Sequence, residues 1–111
     1  MAAQLSVINL VKQFAKDVMS EGVHLRKVFL FGSYAHNKQK RFSDVDVALV
    51  ADEFNGFVFK DMDFFIHAKI KKTYSKIQVQ TYPTSYFKKG DPFVDEIKRT
   101  GIEIKIWLKS F

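Results

Sequence analysis

With 111 residues the chain is too short for two separate hydrophobic cores, so residues 1–111 are expected to form a single domain. Hydrophobic residues make up 47% of it, which suffices for one packed core and excludes a disordered chain, and the lack of cysteine excludes disulfides and thiolate metal sites. The net charge of +6 favours an anionic partner, with Lys38, Lys40 and Arg41, Lys71 and Lys72, and Lys88 and Lys89 as short basic clusters.

Residues Met1 to Leu10 lack the basic start and small-residue cleavage pattern of a signal peptide. No apolar run approaches the ~20 residues that span a bilayer. The expectation is a soluble, cytoplasmic protein without a membrane partner. Val7, Val11, Phe14 and Val18 recur at spacings of four, three and four, which predicts an amphipathic helix ending near Gly22. Val28 to Phe31 is a short apolar run suited to a buried strand. Gly32 and Ser33 follow at once, and the polar stretch to Ser43 reads as a short helix and loop. Asp44 to Val50 is the second strand. Asp52 to Gly56 reads as a loop. Met62, Phe65, Ile66 and Ile70 have helical spacing and lead into Lys71 and Lys72.

Ile77 to Gln80 alternates apolar and polar residues and predicts a third strand, closed by Pro83. Asp91 suits an N-cap, Pro92 the first helical position and Gly101 the C-terminal cap, which predicts a helix from Asp91 to Thr100. Beyond it, Ile102, Ile104, Ile106 and Leu108 alternate with Glu103, Lys105, Trp107 and Lys109 as a last half-buried strand. That strand, with Trp107 on its polar side, is also a candidate edge for a homodimer. The expected class is α/β (α+β): a small mixed β-sheet with helices packed against it.

One constellation carries chemistry: Gly32 and Ser33 at the end of one strand, then ten residues, then Asp44-Val45-Asp46 on the next. Gly32 allows close approach of backbone to a ligand. Ser33 adds a hydroxyl, and backbone N–H groups at such a turn can face an anion. Residues two apart on a strand share a face, so Asp44 and Asp46 offer paired carboxylates to a hard cation such as Mg²⁺. Ions held this way clamp triphosphate oxygens. The arrangement suits phosphoryl or nucleotidyl transfer.

The Gly-Ser, ten-residue, Asp-x-Asp pattern at Gly32, Ser33, Asp44 and Asp46, with Ser43 before the first Asp, resembles the signature of the polymerase-β-like nucleotidyltransferase superfamily. Its likeness is to the minimal nucleotidyltransferases, and the tail from Asp91-Pro92-Phe93 to Thr100-Gly101-Ile102-Glu103-Ile104 resembles the close of one subgroup of them. That resemblance implies a nucleotidyltransferase fold and Mg²⁺ held by the catalytic carboxylates Asp44 and Asp46. It also implies nucleotide binding by Gly32 and Ser33, and transfer of a nucleoside monophosphate, AMP from ATP, to a hydroxyl. It further implies an antitoxin whose partner is a HEPN-domain protein. His36 stands where relatives often carry Arg. Relatives usually place a third carboxylate on the third strand, and by that register the position here is Gln80, with Gln78 on the same face. An amide cannot take up a proton as a general base, so the alternative is a catalytically impaired nucleotide- or partner-binding module. Asp61 and Asp63 are candidate substitutes. His24 and His67 have no metal-ligand partners at useful spacing. No basic-aromatic stripe is present, so nucleic acid is not an expected partner.

Overall fold

The structure, a computed structural model, describes residues 2–106. Its centre is a four-stranded mixed sheet in the order β3-β2-β1-β4. Strand β1 (Leu25–Phe31) pairs antiparallel with β2 (Val45–Ala51) and with β4 (Ile102–Glu103), while β2 runs parallel to β3 (Ile77–Pro83). Helices lie against both faces, which is the mixed architecture expected from the sequence.

The first face carries the larger core. Helix α1 (Ala2–Ser20) buries Val11, Phe14 and Val18 completely against Val28 and Leu30 of β1, Val47 and Leu49 of β2, and Ile77 of β3. Each such side chain contributes about 1.5–3 kcal/mol on leaving water. The four-three-four spacing of the stripe is therefore what docks the helix.

Between β2 and β3 the chain does not form the single helix suggested by Met62, Phe65, Ile66 and Ile70. It breaks into α2 (Val58–Asp61), a 3₁₀ turn (Met62–Phe65), α3 (Ile66–Lys69) and a second 3₁₀ turn (Lys72–Tyr74). Phe65 and Ala68 enter the core, whereas Ile66 and Ile70 are exposed. Tertiary hydrogen bonds set the breaks. The Glu21 carboxylate accepts the Ala68 N–H at 2.6 Å and the His67 N–H at 3.3 Å, and Tyr74 O–H donates to Asp17 at 2.5 Å.

The second face is smaller. Phe29, Ala48 and Val50 are covered by Phe87 of α4 (Thr84–Lys89) and by Val94 and Ile97 of α5 (Pro92–Thr100). Helix α5 starts as expected: the Asp91 carboxylate accepts the Val94 N–H at 2.7 Å, ahead of Pro92. Gly101 ends it for a steric reason. Its φ of −76° is ordinary, but a Cβ there would lie 2.6 Å from the Ile97 carbonyl oxygen and 3.1 Å from that of Leu30. Strand β4 is shorter than the alternation suggested, although Ile104 continues the core and its N–H reaches the Val28 carbonyl at 2.8 Å. Trp107, Leu108 and Lys109, and with them the rest of the expected edge strand, lie outside the described residues. Among the described residues no helix is long and apolar enough to cross a membrane.

Candidate active site

The second face is only partly roofed. Helices α4 and α5 cover the end of β2 that holds Ala48 and Val50, and leave the start of the strand open. In the antiparallel register Phe31 is level with Asp46, so the chain leaves β1 beside the start of β2. Asp46 is half-buried, and Asp44, immediately before the strand, is exposed. The T-shaped pair of Phe31 and Phe93, with centroids 5.7 Å apart, sets the first turn of α5 at the edge of this opening.

Gly32 lies directly against the Asp46 carboxylate. It has φ +77°, which side chains disfavour, and a Cβ would come within 3.2 Å of Asp46 Cγ and closer still to Oδ2. Two independent constraints thus require glycine here. The expected short helix after Gly32 is instead a run of tight turns. The Ala35 and His36 N–H groups both donate to the Gly32 carbonyl, at 3.1 and 3.3 Å, and the Lys38 N–H donates to that of Ser33 at 2.8 Å. Helix α1 holds the turn from behind through Gln4 Nε2, which donates to the Tyr34 carbonyl at 2.8 Å. Among the described residues the N–H groups of Ser33 and Tyr34 have no protein acceptor. They are the donors an anion at this turn could use. His36 is exposed and touches none of these groups through a hydrogen bond among the described residues.

Burial pushes the Asp46 carboxyl above the usual carboxylate range, and the negative charge of Asp44 pushes it further. No hydrogen-bond donor among the described residues offsets this. A carboxylate destabilised by burial and by its neighbour is one that a cation would stabilise. The two acids could hold one divalent ion. Among the described residues no cluster of three or more His, Asp or Glu is present to complete an all-acid site.

The third strand supplies amides. Its parallel register sets Gln78 level with Asp46 and Gln80 level with Ala48, one rung further along. Both are exposed and share the face with Asp46. Gln78 is therefore the nearer neighbour of the acid pair. The alternation of β3 showed the shared face, but the rung is set by pairing between strands and has no local signature. Asp61 does not substitute for the missing carboxylate. It is buried and saturated, accepting the Asn55 and Gly56 N–H groups at 2.9 Å each and the Thr81 hydroxyl at 2.7 Å. Thr81 points to the opposite face of β3 from Gln78 and Gln80, so Asp61 serves the core side. Asp63 is exposed on the 3₁₀ turn that follows.

The chain is similar to known proteins in sequence and in fold. A Methanocaldococcus jannaschii protein, provisionally named a protein adenylyltransferase, is 33% identical over 103 residues, covering 90% of this chain and all of the relative. A crystal structure from Sulfolobus solfataricus, provisionally named a nucleotidyltransferase, superposes with a TM-score of 0.68 over 99% of this chain and 89% of its own, and at 22% identity it attests the fold. The family model described as "Polymerase beta, Nucleotidyltransferase" matches residues 13–106. The chain belongs to the polymerase-β nucleotidyltransferase family, and its enzyme class is that of a nucleotidyltransferase.

Proposed function

We propose that this single domain is a Mg²⁺-dependent adenylyltransferase that moves AMP from ATP to a hydroxyl of a partner protein. The observation that carries the reading is the packing of Gly32 against Asp46, which brings the turn after β1 and the acid pair together. The name of the M. jannaschii relative supports both AMP as the group moved and protein as the acceptor.

The donor set fits a divalent cation: hard carboxylate oxygens, one of them raised in proton affinity by its surroundings. When bound, such an ion supplies neutralising charge to the triphosphate. Asp44 and Asp46 would hold it. Gly32, lacking a side chain, admits the phosphates close to the backbone, and the Ser33 hydroxyl and the N–H groups of Ser33 and Tyr34 donate to their oxygens. In the transfer the acceptor oxygen bonds to the α-phosphorus, the bond to the β-phosphate oxygen breaks, and pyrophosphate leaves. Gln78 and Gln80 can orient ligand oxygens but cannot receive the acceptor's proton. Water or a group on the partner takes it.

This assignment suits the antitoxin of a HEPN-type pair, whose toxin would present the hydroxyl. The neutral Gln78 and Gln80 favour one second reading: a module that binds nucleotide or partner with little turnover. Incubation with Mg²⁺ and ATP labelled at the α-phosphate, together with a HEPN-domain protein as acceptor, separates the two. Label on the partner, reduced at least ~10³-fold by Asp44→Asn combined with Asp46→Asn, supports the transferase. Unchanged transfer in that double variant would remove the site from the mechanism, and nucleotide binding without label would favour the binding module.

A further inference from the structure

A second recess lies on the same sheet face, at the far end of β2. It is a cleft of about 380 Å³ floored by Phe29, Val50 and Phe87 and edged by Lys27, Lys88 and Lys98, with Thr84 on its wall. Val50 is four residues beyond Asp46, roughly 13 Å at the rise of a strand. The cleft is therefore separate from the acid pair.

Its chemistry is opposite to that of the acid pair. Three ammonium groups border an apolar floor, and among the described residues no acidic one lines it. Lys98 Nζ sits 5.1 Å from the centre of the Phe87 ring and donates to the Lys88 carbonyl at 3.3 Å, which holds this charge over the aromatic wall. Lys27 is shared with Glu103 at 3.2 Å in an exposed pair, and the Lys88 ammonium has no acidic partner among the described residues. The Thr84 hydroxyl oxygen on its wall is buried, with the Asp52 carboxyl nearby.

We propose that this cleft binds a small anion with an apolar body, a carboxylate or phosphate carried on an aromatic or aliphatic frame. The frame covers Phe29, Val50 and Phe87, and the anion meets Lys88 and Lys98. A pocket of this size and lining is typical of small-molecule sites, and an anion is what Lys88 and Lys98, with no acid among the described lining residues, select.

The test is titration of the ¹⁵N-labelled protein at low salt with naphthoate, naphthyl phosphate and neutral naphthamide, followed by amide chemical shifts. Saturable shifts centred on Phe29, Val50, Thr84 and Phe87, with a dissociation constant below about 1 mM, are expected for at least one anion. The better of the two names the natural headgroup. Naphthamide should bind at least tenfold more weakly, and Lys88→Ala with Lys98→Ala should weaken the anions to the level of naphthamide while circular dichroism stays unchanged. Asp44→Asn should leave these titrations unaltered. Equal binding of naphthamide, shifts centred on Gly32 and Asp46, or no saturable shift would each overturn the proposal. So would sedimentation showing a self-associated form that excludes naphthoate, because the cleft would then belong to a second copy.

Discussion

Two carboxylates near opposite ends of the β2–β3 region behave in contrary ways. Asp61 is almost fully enclosed, yet three donors meet it, from Asn55, Gly56 and Thr81, and it fastens the loop after β2 to β3. Asp46 is only half-buried, yet no donor among the described residues meets it, and Asp44 adds a like charge. The protein completes the first acid by itself and offers the second no donor among the described residues. Burial alone does not mark a functional acid. Lack of internal satisfaction does.

Breaking the satisfied acid should give the largest stability effect. Asp61→Ala leaves two backbone N–H groups and a buried hydroxyl without an acceptor, a loss of about 3 kcal/mol, read as a lowered midpoint in urea. Asp61→Ala melting with the parent would show that the clamp is dispensable. Next comes Gly32→Ala, which meets both a disfavoured φ and the Asp46 side chain; it should cost about 1–3 kcal/mol and weaken nucleotide binding in the same variant. Binding unaltered by Gly32→Ala would separate the turn from the acid pair.

A carboxylate restored on the third strand sharpens the contrast further. Gln78→Glu should tighten Mg²⁺ binding about tenfold, the effect of one added close ligand charge, and Gln80→Glu should do less, because it lies level with Ala48. The reverse order would favour Gln80 as the third-carboxylate position.

The smallest effect is on the melting temperature of the metal-free protein. Because the folded-state pKa of Asp46 is raised, its ionised form disfavours folding at neutral pH, and that penalty fades as pH falls through the raised value. Asp46→Asn should therefore melt at or above the parent at pH 7, with the gap closing in acid. A variant that melts lower at pH 7 and recovers nothing in acid would mean that Asp46 is held by a favourable contact.

Much of this was readable along the chain. The stripe of α1, the apolar run of β1, the alternation around Asp44 and Asp46 and the cap of α5 are local signals, each decided by residues a few positions apart. What failed was decided at a distance. Ile66 and Ile70 have helical spacing but face solvent, because Glu21, Asp17 and Asp61 fix the segment by hydrogen bonds from elsewhere in the fold. The polar stretch after Gly32 folds as turns, since its amides close on the Gly32 and Ser33 carbonyls before a helix can propagate. The rung of Gln78 beside Asp46 depends on how β3 slides along β2. Helix α4 has no such signal, as Thr84 to Lys89 is too short for a periodic pattern.

The most direct test is calorimetric titration of the protein with ATP, with and without Mg²⁺, set beside the Asp44→Asn, Asp46→Asn double variant. Binding that requires the metal and weakens at least tenfold in the variant is the predicted result. Equal affinity of the two proteins for ATP and Mg²⁺ would contradict the assignment of this acid pair.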